Sequence, residues 1–257
     1  KEYDKSISCF QKSISYPVSN DLKINAIFWS AEAYFLKKDY NKSINILNDL
    51  LLLDFDGNIK NEALYTLAYA HNYLENHEFS NKFFNTLLSS KINFSINIDD
   101  LVLNNLGNEI DVLKKDLKGF EDVFDMIGDN YFKLSQHDLA VRYYKLSHLC
   151  SFPQSDYSLF KMGICFGIMN DYESRMWAFN TLIEKHSDSG FFDDSMFELG
   201  VTYMLMDNYE LSKNIFEKIV SSFSSSIYFF ESKLKLSMSY QELGKNELAI
   251  TQLKDII

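Results

Sequence analysis

The chain has 257 residues, enough for two ordinary domains or one elongated repeat array, and its two prolines and nine glycines are too few for an all-β sandwich. A net charge of −11 excludes an extended nucleic-acid groove, because affinity for phosphate backbones rests on clustered Lys and Arg, and it disfavours acidic peptides as partners. Cys9, Cys150 and Cys165 lack CxxC spacing, so neither a zinc site nor a disulfide framework is indicated, while a Cys150 to Cys165 bridge stays open for an oxidising compartment.

Residues 1 to 16 read as a lone helix with Tyr3, Ser6, Ile7, Phe10, Ser13 and Ile14 on one face, ended by Pro17. The chain opens at Lys1 inside a repeat, which reads as a piece or a processed product of a longer protein. A helical hairpin follows from Asp21 to Leu53, with Ile27, Ala31 and Tyr34 facing Tyr40, Ser43, Leu47 and Leu50 across a Lys38-Asp39 turn. Asn61 to Leu88 repeats the plan with Leu64, Leu67, Ala68 and His71, then His77, Ser80, Phe84 and Leu87. The stretch from Ser89 to Lys118 breaks the period. There Leu103, Leu106, Ile110, Leu113 and Leu117 have helical spacing, with Asp99-Asp100 as a candidate cap and Ser90 to Ile98 as a loop.

Regularity returns at Gly119, where Phe124, Ile127, Gly128 and Tyr131 face Ala140, Tyr144 and Ser147. Asp156 to Ile183 supplies Leu159, Met162, Gly163 and Phe166, then Tyr172, Met176, Phe179 and Leu182. The clearest unit is Asp194 to Val220: Met196, Leu199, Gly200 and Tyr203 share one face, and Ser212, Phe216, Ile219 and Val220 answer from the second helix. Gly200 opposite Ser212 should let the two backbones approach closely. A last unit runs from Glu231 to Ile257, and Gly163, Gly200 and Ser237 are spaced by 37 residues. One hairpin buries only one side of itself, so copies must stack before a continuous core exists. The chain therefore divides into N-terminal hairpins over 1–88, an irregular helix and loop over 89–118, and C-terminal hairpins over 119–257.

The pattern Leu199-Gly200-Val201-Thr202-Tyr203 with Ser212 and Phe216, and Ile127-Gly128-Asp129-Asn130-Tyr131 with Ala140 and Tyr144, resembles the tetratricopeptide repeat. It departs from that family in a period of 37, in the loss of most prolines and in Ser where Ala is commoner. The resemblance implies an all-α fold, a right-handed superhelical α-solenoid of helix-turn-helix repeats. It also implies a non-enzymatic protein-protein interaction scaffold without cofactors. The linker from Glu184 to Ser195 and the segment from Asp156 to Gly163 resemble parts of multi-repeat bacterial cell-envelope proteins, among them outer-membrane assembly lipoproteins and the Tol-Pal-associated coordinator. That likeness implies a periplasmic or outer-membrane-associated home, with a cytoplasmic regulatory adaptor as the alternative.

In this family the concave face of the first helices is the usual peptide-binding groove. Projected onto this chain, the groove is lined by Phe28, Phe35, Tyr65, Tyr69, Tyr73, Phe160, Ile164, Phe197, Val201 and Met204. It is apolar, suiting a protein or peptide partner with apolar or aromatic anchor residues. The alternative is a purely structural array in which these groups fill the groove themselves. A carboxylate clamp for chaperone tails is disfavoured, since Glu32, Tyr69, Asp129, Ile164 and Val201 stand where Asn and Lys or Arg are needed.

His71 and His77 lack the spacing of a helical metal pair, and His137, His148 and His186 lack suitable neighbours. Asp122, Asp125 and Asp129 share a helical face that reads as a solvated acidic edge. There is no phosphate loop, nucleophile elbow or paired acid/base motif, and no apolar run of membrane-spanning length.

Overall fold

Short turns bound the helices of the described residues, and the side chains of Ser19, Asp39, Asp171 and Asn208 cap the helices that follow them. The computed structural model describes residues 2–16, 19–55, 57–91, 121–151 and 155–254. The expected helix from Leu103 to Leu117 and its Asp99-Asp100 cap lie outside the described residues.

The described residues form thirteen helices and no strand. In order they are α1 (Glu2–Ser15), α2 (Asn20–Leu36), α3 (Tyr40–Leu51), α4 (Asn58–Tyr73), α5 (His77–Lys91) and α6 (Glu121–Lys133). Then follow α7 (His137–Ser151), α8 (Asp156–Ile168), α9 (Tyr172–Lys185), α10 (Phe192–Leu205), α11 (Tyr209–Ser222), α12 (Phe229–Glu242) and α13 (Asn246–Lys254). They fall into two compact units, residues 1–135 and 136–257.

The same turn closes each first helix. Lys38, Glu75, Ser135, Asn170, Asp207 and Gly244 all have left-handed backbone, with φ between 56° and 73°. The next amide then donates back to the carbonyl five residues up the chain. Asp39 reaches Tyr34, Asn76 reaches His71, Asp171 reaches Phe166, Asn208 reaches Tyr203 and Lys245 reaches Tyr240, at 2.8 to 2.9 Å. Asp39, Asp171 and Asn208 also cap the following helix, accepting from the amides of Lys42, Ser174 and Leu211. One residue thus ends one helix and the next starts another, leaving no room for a longer loop.

In the first unit, α2 packs on α1 and α3, α4 on α3 and α5, and α6 on α5. Its core gathers Phe28, Ala31, Leu47, Leu50, Ala63 and Leu67. In the second, each helix from α7 to α13 packs on its neighbours in sequence, with Met196, Phe197, Phe216, Ile219, Leu236 and Tyr240 as a core cluster. The aromatic residues expected deep inside at Tyr34, Tyr131 and Tyr203 are half-buried instead. The backbone carbonyls of Tyr34 and Tyr203 accept the turn's hydrogen bond.

The close approach at Gly200 is real, but its partner is Phe216 and not Ser212. A Cβ added at Gly200 would lie 2.7 Å from Phe216 Cζ, and one added at Gly163 would lie 2.5 Å from Phe179 Cε1. The missing side chain makes a slot for the ring of the paired helix. Replacing Gly200 by Ala should therefore cost about 1–3 kcal/mol through overpacking. Urea denaturation would report it, and Phe216→Leu in the same chain should return much of the loss.

Candidate partner-binding faces of the first helices

Residues at i, i+1 and i+4 on a first helix share a face, so 28, 29 and 32 on α2 stand beside 62, 65, 66 and 69 on α4. Between them lies a cleft of about 430 Å³, walled by Phe28, Trp29, Tyr65 and Leu87, with Glu32, Glu62, Thr66 and Asn61 among its polar lining. Phe28 is core, only 3% exposed, whereas the adjacent Trp29 is 49% exposed and meets Phe28 edge-on at 5.1 Å. Phe35 packs on Tyr40 and Tyr73, and Tyr73 stacks on Tyr40 at 4.9 Å while remaining largely exposed.

Glu32 is half-buried and accepts a hydrogen bond from the Thr66 hydroxyl. Burial pushes its carboxyl above the usual range and nearby Glu62 adds to the rise, while Thr66 works the other way. On the same face the Tyr65 and Tyr69 hydroxyls donate to Asp122, at 2.7 and 3.0 Å. The rings lie 4.7 Å apart and both meet Phe84 edge-on. Burial raises both phenols. Asp122 is thus committed to two tyrosines and is not a free acidic edge.

Behind this face Asn130, fully buried, donates to Ser80 Oγ and Asn81 Oδ1 and accepts from Asn72 Nδ2, and it sits 3.0 Å from His77 Nδ1. Its side-chain amide uses its full hydrogen-bonding capacity. This network seats α6 on α4 and α5, although residues 92–120 intervene in the chain.

In the second unit two of the expected groove residues are stacked on rings from the inter-repeat linkers. Phe160 stacks on Phe191 at 4.8 Å, and Phe197 stacks on Tyr228 at 4.5 Å. Phe197 is only 6% exposed. Each linker ring is set by a serine two residues before it, Ser189 accepting from the Phe191 amide and Ser226 from the Tyr228 amide. Ile164 is half-buried. Val201 and Met204 line a hollow of about 280 Å³ with Leu205, Tyr209, Lys235, Met238 and Glu242.

A buried ion pair joins two repeats in this unit. Arg175 occupies the position that is Ser212 one repeat later, is 7% exposed, and pairs with Glu198 on α10. Gly167 makes the space, since a Cβ there would lie 3.0 Å from Arg175 Cζ. Burial holds the Glu198 carboxyl above its ordinary range despite Arg175.

Sequence reasoning missed Trp29, Glu62, Thr66, Arg175 and Glu198, and placed Glu32 only as a position that cannot serve a carboxylate clamp. The readable signal was the position after each groove aromatic, because 29, 66 and 198 follow 28, 65 and 197 on the same helical face. The histidines serve packing: His71 lies against Phe79 and Phe83, and His148, pushed down to about 4 by burial, meets Ser155 Oγ at 2.8 Å. None of the three cysteines is in a disulfide. Among the described residues no group of His, Cys, Asp or Glu is placed to hold a metal, and no helix is long and apolar enough to cross a membrane.

Two stability measurements test these assignments. A carboxyl raised on folding carries no penalty when both states are protonated, and its full penalty when both are ionised. Glu32→Gln should therefore gain stability over the parent as pH climbs from about 4 through the raised value, the gain levelling off above it. Denaturant midpoints across that range would show it. Separately, Glu198→Ala should cost about 3 kcal/mol by leaving Arg175 buried and unpaired, and Arg175→Met with Glu198→Leu should lose clearly less.

Residues 194–226 match the family model of the tetratricopeptide repeat. No curated protein sequence matches the chain. Among solved structures, the C-terminal part of a tetratricopeptide repeat protein from Cytophaga hutchinsonii superposes with a TM-score of 0.62 at 15% identity, covering 90% of this chain and 78% of that one. YrrB, described as a TPR protein with an unusual peptide-binding site, gives 0.57 at 16% identity over 96% of this chain and 99% of its own. MamA gives 0.57 at 12% identity, over 76% and 89%. The family-model match marks residues 194–226 as a tetratricopeptide repeat, and with the turn that recurs through the described hairpins the structural likenesses give the chain the fold of an all-α solenoid of helix-turn-helix units.

Proposed function

We propose that this chain is a non-enzymatic interaction scaffold that holds a protein or peptide along the faces of its first helices, within a bacterial cell-envelope complex. The observation that carries the binding role is the apolar surface left on those faces. Trp29 is 49% exposed, Leu205 53% and Met238 42%, and half-buried Tyr65, Tyr69, Val201 and Met204 lie beside them. Aromatic and methionine side chains in clefts give large contact area at low ordering cost and can repack around a partner. YrrB, with the same fold, is described as binding peptide. The envelope setting rests on the resemblance of the linker from Glu184 to Ser195 and of the segment from Asp156 to Gly163.

A second reading, the purely structural array, has an observation in its favour. Phe28, Phe160 and Phe197 are taken up by internal packing, and in the second unit the rings that cover Phe160 and Phe197 come from the chain's own linkers. Selection from a phage-displayed library of random peptides separates the two. The parent chain should enrich a defined set of sequences, and a variant with Trp29→Ser and Met204→Ser should lose them while keeping its helical circular dichroism. Failure of the parent to enrich any peptide, or identical enrichment by the folded variant, would leave the structural array as the better reading.

A further inference from the structure

The chain holds two half-buried glutamates on first-helix faces and treats them differently. Glu198 has its own cation, Arg175. Glu32 has the Thr66 hydroxyl, and neither it nor Glu62 has an ion-pair partner among the described residues. Among the described residues no Lys or Arg lines the cleft they share. Taking a carboxylate out of water without a cation is costly, so such a group is normally paired or protonated.

Resting on the reading of the chain as a peptide-binding scaffold, we propose that the cleft between α2 and α4 is the subsite for an arginine side chain of a basic peptide, its guanidinium set between the Trp29 ring and the Glu32 and Glu62 carboxylates. The cleft's volume of about 430 Å³ accommodates a long side chain with its flanking backbone. Its walls suit the two ends of arginine. Phe28, Tyr65 and Leu87 meet the methylene stem, while the planar head stacks on an aromatic face and forms forked hydrogen bonds to carboxylate. Lysine offers a compact charge without the fork or the stacking plane.

The surroundings reinforce the choice. Asp122, held by Tyr65 and Tyr69, adds negative potential on the same face. The net charge of −11 steers basic segments towards the chain at long range. Local geometry must then discriminate, because long-range attraction alone does not distinguish one site from another. In the second unit the comparable carboxylate is already satisfied by Arg175, so that unit offers apolar contact to a partner and the first offers the charged anchor.

The test uses the full chain and three synthetic libraries of short random peptides, identical save for a fixed central arginine, citrulline or glutamate. Citrulline keeps the shape of arginine and removes its charge. The parent should retain the arginine library about tenfold over the citrulline library. Glu32→Gln with Glu62→Gln should abolish that preference. A control with Glu184→Gln and Asp188→Asn changes the net charge equally at exposed positions of the second unit and should keep it. Glu62→Gln alone, at an exposed residue, should weaken it without touching the fold.

Equal retention of the arginine and citrulline libraries by the parent overturns the inference and leaves the scaffold reading standing. A preference that survives in the Glu32/Glu62 variant, or that vanishes equally in the control, overturns it as well, the latter by showing general charge attraction. Retention of no library at all sinks both readings together.

Discussion

The contact on which two of the second unit's hairpins depend is an aromatic ring set against a first-helix residue that has no side chain. Gly163 receives Phe179 and Gly200 receives Phe216, sixteen residues further on in both cases. Elsewhere the same two positions hold Ala31 with Leu47 and Ala68 with Phe84, all four fully buried. The ring is kept over Ala68 as over the two glycines, and Ala31 meets an aliphatic side chain in its place. A mid-helix glycine costs about 1 kcal/mol in helix propensity relative to alanine. Its presence at these two positions is explained by the helix that would otherwise have to move away.

Between hairpins a different contact sets the geometry. A serine in the linker takes up a backbone amide, the ring two residues later turns inward, and it lies flat on the first helix just passed, as with Ser189, Phe191 and Phe160 and again with Ser226, Tyr228 and Phe197. Phe191 and Tyr228 are 37 residues apart, the same as the glycines they follow. The ring anchors the start of the next first helix, and in doing so it covers part of the face on which a partner would rest. Stacking of repeats and binding by repeats compete for the same aromatic groups. Phe160 and Phe197 went to stacking. Val201, Met204 and Leu205, toward the far end of the same helix, did not.

The hairpins were legible because helical periodicity and a turn signal agree with one another, reinforced by a 37-residue step from Ala31 to Ala68 and from Gly163 through Gly200 to Ser237. The identity of the residue facing Gly200 was less legible. Periodicity gives the face of a helix but not the height at which two helices touch, so Ser212 and Phe216 are equally good partners until their rise along the axis is known. The candidate face was readable in its aromatic half only. Searching for apolar residues at helical steps finds Phe28, Tyr65 and Phe197, and passes over Trp29, Thr66 and Glu198 one position later. Arg175 was hidden for another reason. It stands where the pattern calls for Ser or Ala, and its burial depends on Gly167, eight residues earlier, having given up its side chain.

Polar exceptions of this kind decide how far one repeat differs from the next. An array built from local contacts has nearly the same stability at each repeat, and nothing in the apolar pattern marks one junction as special. Asn130 does so in the first unit, because its amide is satisfied only when Ser80, Asn81 and Asn72 are all in place. Arg175 does so in the second, because removing Glu198 would strand it in a position built for a small residue. Both are internal solutions, in which the Asn130 amide and the Arg175 guanidinium each find partners in the chain. Glu32 is the case where the same residue type, at a comparable depth, has only a neutral hydroxyl to meet it. A group kept in that condition weakens the fold when ionised, and the physical compensation available to it is a cation brought from outside. The least satisfied carboxylate of the first-helix faces is therefore also the one most able to convert partner binding into stability of the array.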